Sequence, residues 1–238
     1  MVLLVLSLAT VLGAEPAAVP RGPRLGLGVG TDFPVAAGVH ARSEVGPRIQ
    51  LGASVGLFPG PYLRTINTAL VALDAYGERT ADLVEAAMDN ALVGRLQVGW
   101  RPFVNSGFYV SGGYSVFTLG GKLTGTELLR SVTGRTSDSP LLDRVSVDTS
   151  ATLHQAGLEL GFRFRPVRHL WIEWALGGFY TLAAQSDLRL FERPELREAF
   201  TPLRGAAESY LEDTLERYFH GGYVSIRVYW DLLPPAEE

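Results

Sequence analysis

From residue 223 to residue 232, Val224, Ile226, Val228, Trp230 and Leu232 alternate strictly with Tyr223, Ser225, Arg227, Tyr229 and Asp231. Successive side chains of a strand point to opposite faces, so this segment has one greasy face and one polar, charged face. A soluble sheet buries the greasy face against a second layer. A membrane strand turns it to lipid and keeps the polar face inside a closed ring. The pattern recurs over seven or eight segments, behind an apolar N-terminal stretch of the export type. Together these features predict a transmembrane β-barrel, whose strands alternate apolar-out and polar-in.

Strands are predicted over residues 24–31, 37–45, 48–57, 92–101, 107–119, 150–165, 170–182 and 223–232. That is about eight, an even number, as single-chain bacterial barrels require. The lipid-facing parity is read as Ile49, Leu51 and Val55, then Leu96, Val98 and Trp100, then Leu158, Leu160 and Phe162, with Ile172 and Trp174 on the next strand. Composition agrees. Hydrophobic residues make up 47% of the 238 and charged residues 19%, against roughly 25% charged in an average soluble domain. No run of about 20 apolar residues exists to form a spanning helix, so the surplus of apolar residues is spread over alternate positions. The fold class is therefore all-β: an antiparallel transmembrane barrel of about eight strands.

Three connections are tight and rich in turn residues: Gly46-Pro47, Asn105-Ser106 and Pro166-Val167-Arg168. Three others are long, and the short first hairpin, near Asp32-Phe33-Pro34, falls on their side. Outer-membrane barrels place short turns in the periplasm and long loops outside. The layout predicts a Gram-negative outer-membrane protein with both termini periplasmic. Residues 1–14 read as a signal peptide and 15–23 as a linker. Residues 24–233 read as the barrel with helical insertions at about 58–91, 120–149 and 183–222, and residues 234–238 as a tail. Within the insertions, Leu63, Ile66, Leu70 and Leu73 fall at helical spacing. So do Leu203, Ala207, Tyr210, Leu211, Leu215 and Phe219, and residues 80–90 share the period. Thr124 and Glu127 have capping-box spacing. Apolar stripes need cover, so these helices are expected to pack on each other over the barrel mouth.

The inward parity carries a set of mixed charge: Arg42, Glu44, Arg95, Arg101, Glu159, Arg163, Arg165, Glu173, Arg227 and Asp231. An eight-stranded interior is just wide enough to be filled by side chains. A buried unpaired ion is very costly, so these charges are expected to pair into a lumen network. A catalytic residue is not identifiable. Gly52-Ala53-Ser54-Val55-Gly56 has G-x-S-x-G spacing, but its serine continues a strand rather than sitting on a strand-to-helix elbow. Gly26, Gly28 and Gly30 lack dinucleotide-loop spacing and read as small inward residues. The four histidines, His40, His154, His169 and His220, share no metal-binding spacing. His154 and His220 sit near outer strand ends, where a lipid-modifying enzyme would keep a base. Cysteine is absent, which removes thiolate chemistry and disulfides from these residues. No cofactor or metal is expected. The net charge of −4 speaks against a nucleic-acid partner. An aromatic girdle is expected from Trp100, Phe103, Phe108 and Trp171 near the turns, and from Phe117, Phe179 and Tyr180 near the loops.

Trp100-Arg101-Pro102-Phe103 with Gly107-Phe108-Tyr109-Val110 straddles a tight turn, as does the stretch from Phe164 to Trp171. Both look like the periplasmic hairpins of small outer-membrane barrels, and the chain resembles the OmpA- and OmpX-type barrel superfamily over most of its length. One departure is that Tyr229-Trp230 are followed by residues 231–238, whereas such barrels end on an aromatic residue. The resemblance implies adhesion, small-molecule passage, lipid modification or structural support. The residues themselves favour a structural or binding role through external loops. Outer-membrane lipid is the expected surround, and an external ligand or protein the expected partner at the loops. The alternatives are an outer-leaflet lipid-modifying enzyme and a narrow pore for small solutes.

Overall fold

The computed structural model describes residues 24–72, 77, 81, 90–124, 126, 146–167, 169–191 and 194–232. The segments read as signal, linker and tail lie outside these residues, as do Leu73, most of 80–90 and Glu127. Eight strands follow in order: β1 (Arg24–Phe33), β2 (Ala36–Val45), β3 (Ile49–Leu57), β4 (Asn90–Trp100), β5 (Phe108–Thr124), β6 (Ser146–Val167), β7 (Leu170–Phe191) and β8 (Gly221–Asp231). Each pairs antiparallel with the next, and β8 pairs back onto β1, so the ring is closed. Two helices are described, α1 (Gly60–Ala72) and α2 (Pro194–Tyr218). Pro194 opens α2 at a position where a missing N–H costs nothing.

The parity read from the sequence is the parity of the wall. Leu51, Val55, Leu96, Leu158 and Ile226 are exposed on the outside, while Gln50, Arg95, Glu159 and Arg227 are buried inside. Closure lets the amides of the membrane belt pair within the ring, the only arrangement that lets strands cross hydrocarbon.

Strand length departs from expectation. β1 to β4 and β8 are 9 to 11 residues long, enough for one bilayer. β5 has 17 residues, and β6 and β7 have 22 each. The insertions expected from about residues 120 and 183 therefore begin later, after Thr124 and Phe191. Thr124 is the last residue of β5, and its expected capping partner Glu127 lies outside the described residues. Two features hid the extensions. First, the pattern inverts. Above the bilayer the inward residues become apolar (Phe117, Leu119, Val147, Leu153, Leu188). The outward ones become polar, with Thr118, Lys122, Ser150, Gln185 and Arg189 exposed. Second, Gln155 pairs with Thr181 but His154 pairs with Ala183, so Leu182 is an extra residue. That bulge moves the inward set of β7 from odd to even positions.

The apolar interior of this outer half is filled from above. Leu63 of α1 and Leu215 of α2 join Val35, Phe58, Phe117 and Leu153 in one buried cluster. The expected helical cap is thus present at the barrel mouth. A polar layer separates it from the lumen: Gln155 donates to Thr181 (3.1 Å) and to the Phe219 carbonyl (3.4 Å).

β7 outruns β8, which stops at the Phe179–Gly221 pair and leaves the N–H groups above it without a strand partner. A bare strand edge templates unwanted pairing. Helix α2 covers this one. Glu216 accepts from the Ala184 N–H (3.0 Å), Glu212 from Ser186 (2.8 Å) and Glu208 from Leu188 (3.0 Å). Four helical residues rise about 6 Å and two strand residues about 6.8 Å, so carboxylates at i, i+4 and i+8 match alternate amides. Arg204 donates to Glu208 (2.8 Å), and that hydrogen bond holds the guanidinium above its usual range.

Two outcomes follow from the inverted pattern and the covered edge. Ile226→Arg, on the lipid face, will cost about 2–4 kcal/mol near the midplane, whereas Thr118→Arg, on the same outward parity above the bilayer, will cost under about 0.5 kcal/mol. Folding titrations into lipid vesicles compare them, and equal costs would misplace the bilayer border. Replacing Glu212 by Ala will speed hydrogen exchange at the Ser186 amide while leaving Gly161, on the membrane ladder, unchanged.

Candidate functional site

The ten lumen residues named from the sequence all lie inside the barrel, and the structure sorts them into two groups. The outer group is built on Arg227 of β8. Its guanidinium bonds Glu159 of β6 (2.6 and 2.8 Å) and Asp32 of β1 (2.8 Å). Asp32 also takes Arg95 of β4 (2.6 Å) and the Ser225 hydroxyl. Two tyrosines complete Glu159: Tyr109 donates at 2.9 Å and Tyr223 at 3.2 Å. Their rings fit because Gly161 stands opposite Tyr109 and Gly177 opposite Tyr223 in register. A Cβ at either glycine would run into the ring.

The inner group, toward the short turns, is built on Arg163 of β6. It bonds Glu173 of β7 (2.7 Å), Gln50 of β3 (2.9 Å) and Glu44 of β2. Arg101 reaches Glu44 (3.3 Å), and Arg42 pairs with Glu173. Arg165 lies 3.6 Å from Asp231, which also accepts the Trp171 indole N–H (2.6 Å). Arg163 and Arg165 flank the Trp171 ring at 5.2 and 4.9 Å. Tyr109 joins the groups through a 3.5 Å contact to Glu173. Six arginines thus face five carboxylates across the lumen. The space left among Arg42, Glu44, Arg163 and Asp231 is about 20 Å³, room for about one water molecule.

Several readings are corrected. Asp32, assigned to a hairpin, is a buried strand residue and the shared acceptor of Arg95 and Arg227. Its signal was parity: Asp32 continues the inward series of Gly26, Gly28 and Gly30. Trp171, Phe117 and Phe179 do not belong to the outer girdle. Trp171 faces the lumen arginines, and under the cap Phe117 meets Phe219 edge-on while Phe179 packs against it at a tilt. Trp100, Phe103 and Tyr180 are exposed outside as expected. The tight connection after β6 begins only past Val167, since Pro166 and Val167 still belong to the strand.

The two candidate bases are not brought together. His154 is on the outer wall, where the Tyr114 hydroxyl meets its Nδ1 at 2.5 Å. His220 sits beside Tyr180, ring centres 5.6 Å apart, at the rim of a crevice beneath α1 and α2. The crevice has a volume of about 150 Å³ and is lined mainly by apolar side chains. Among the described residues no cluster of His, Asp or Glu is arranged to hold a metal ion.

A closed ring, a greasy exterior and an ion-paired interior define a small transmembrane β-barrel of the outer-membrane type. No model of a known protein family and no curated protein matches the chain. Solved structures similar to it include a major outer membrane protein from Thermus thermophilus, at 10% identity over 89% of this chain and 100% of that chain, with a TM-score of 0.45. Others are the N-terminal β-barrel domain of OprF from Pseudomonas aeruginosa (9% identity, 90% and 99% covered, TM-score 0.40) and CarO2 from Acinetobacter baumannii (11% identity, 87% and 98% covered, TM-score 0.39).

Among its described partners, Glu159 has one arginine, Arg227, whereas Asp32 has two. Arg227→Leu will therefore cost about 3–5 kcal/mol, because it strands a buried carboxylate. Adding Glu159→Gln will recover more of that loss than adding Asp32→Asn, since Asp32 keeps Arg95. Vesicle-folding titrations of the single and double variants decide the order of recovery.

Proposed function

We propose that this chain is an outer-membrane protein of a Gram-negative cell whose barrel serves as an anchor and whose outer half is the contact surface. The observation that carries this reading is the ion-paired lumen. Charged side chains from six of the eight strands and the turn-proximal Arg101 cross it at successive levels. Opening a path for solute would mean separating buried pairs, each costly to break. The wall, by contrast, is tallest where β5, β6 and β7 project beyond the bilayer. The partners on this reading are membrane lipid around the belt and an external ligand or protein at the projecting sheet and cap.

Orientation follows from the connections. β1 begins and β8 ends on the short-turn side, where Gly26 pairs with Asp231. Short turns are periplasmic in outer-membrane barrels, so both ends of the barrel belong to the periplasm. The chain has a single lysine, Lys122, exposed on the projecting part of β5. A membrane-impermeant amine reagent on intact cells will label it, and Lys122→Arg will abolish the label. Labelling that requires lysis would reverse the orientation. In planar bilayers the purified protein will show no steady open channel, and a stable conducting state would overturn the anchor reading.

A second reading, an outer-leaflet lipid-modifying enzyme with His154 or His220 as base, draws support from the position of His220 on the crevice rim. No described carboxylate orients either imidazole, which general-base chemistry ordinarily uses. An unchanged lipid mass profile after deletion of the gene removes this reading.

A further inference from the structure

The crevice under the cap opens at the lowest part of the wall. The last pair between β1 and β8 is Phe33–Val224. Above it, Gly222 and Gly221 pair only with Gly178 and Phe179 of β7, while β1 has already turned at Pro34 and Val35. A Cβ at Gly221 would meet nothing within 4 Å. A lateral notch therefore lies between the β1–β2 hairpin and the top of β8, with Gly221 and Gly222 on its edge. Both glycines and Pro34 line the crevice.

Behind the notch the lining is mainly hydrocarbon, from Val35, Phe58, Leu63, Ile66, Leu215 and Phe219, with Asn67 and Thr214 as its buried polar side chains. An apolar cavity of about 150 Å³ stays dry and accepts a ring of about six carbons. Water is thus a poor occupant. The notch is also level with the top of the lipid-facing belt. Phe33 of β1 and Tyr180 and Leu182 of β7 are exposed outward at 42%, 60% and 57%. Phe33 and Tyr180 are within two residues of the lining residues Val35 and Phe179. The crevice is in this way continuous with the surface that faces lipid. Its rim carries Tyr218 and His220, amphipathic rings of the kind that settle at headgroup level.

We propose that this crevice binds one acyl chain of an outer-leaflet lipid, admitted through the notch between the β1–β2 hairpin and β8. About six carbons of the chain lie between α1 and α2, and the headgroup stays at the Tyr218–His220 rim. Bound there, the chain fills the gap that the two helices leave and fastens the cap to the membrane. This inference rests on the membrane reading above, and its test separates the two.

The full-length protein is reconstituted in vesicles containing a trace of phosphatidylethanolamine with a diazirine in one acyl chain. After irradiation the adducts are mapped by mass spectrometry. Adducts on the belt around Leu158 report embedding in lipid, and adducts on Leu63, Ile66 or Phe219 report the crevice. Both sets are expected. Gly221→Phe, which places a ring in the notch, and Ile66→Trp, which fills the crevice from α1, are each expected to lower the crevice adducts about tenfold, equivalent to about 1.4 kcal/mol. Belt adducts and heat-modifiable gel migration stay unchanged. Belt adducts without crevice adducts in the unsubstituted protein would overturn the acyl-chain site and leave the membrane reading standing. Absence of both would overturn both. Crevice labelling by a water-soluble hexyl diazirine but not by the lipid probe would show a site for small apolar solutes and overturn the lipid assignment.

Discussion

A strand inside a bilayer has no water to satisfy its N–H and C=O groups, so the pairing of β8 with β1 is the interaction on which this barrel depends. Closure removes every edge within the membrane. It also fixes what each parity must be: lipid touches one set of side chains and the other set is sealed inside. The same rule explains why the pattern changes higher up. Beyond the bilayer, water lies outside the wall and the helices lie within it, so the apolar side chains of β5, β6 and β7 turn inward. Along one strand, β6, Leu158 faces outward and Leu153 faces inward for opposite reasons.

Sealing charge inside the lumen has its own requirement. Each ion must find a partner, because desolvation of a lone charge exceeds anything packing returns. Arginine meets this need better than lysine, since its planar fork reaches two acceptors at once. Arg227 spans Glu159 and Asp32, and Arg163 spans Glu44, Glu173 and Gln50. The tyrosines that complete Glu159 depend in turn on glycines across the ladder. A network of this kind has few alternative arrangements, which holds the membrane half of the barrel rigid.

That outer half is organised like a soluble protein. A three-stranded wall is covered by helices around an apolar cluster, and α2 stands where a partner strand for β7 would otherwise be. Three glutamates replace the carbonyl acceptors of that missing strand. On the opposite side, where β1, β2 and β8 are short, the wall falls away and the cap bridges open space. The crevice is the geometric result of joining tall strands to short ones.

How much of this was legible follows from what alternation encodes. Period-two patterning reports the contrast between two environments, and wherever lipid lay outside and charge inside, residues such as Ile226 and Arg227 disclosed strand, face and place unaided. It determined the class of fold, the number of strands, the side on which the long connections lie and the ten lumen charges. It failed where the environments exchanged, at Phe117 and Ala184, and where the Leu182 bulge shifted the phase. Asp32 was missed because a carboxylate two residues before a proline reads locally as a turn. Glu208, Glu212 and Glu216 left a signal, since like charges at that spacing are unfavourable on an isolated helix, but the amides they serve belong to a distant strand. Which arginine meets which carboxylate was decided largely by the closed ring. Glu173 stands between Arg163 and Arg227 in its two ladders, bonds Arg163 of the neighbouring strand, and takes its second arginine, Arg42 of β2, from across the barrel. Side chains crossing a lumen choose partners by reach across the barrel, a distance that no linear spacing records.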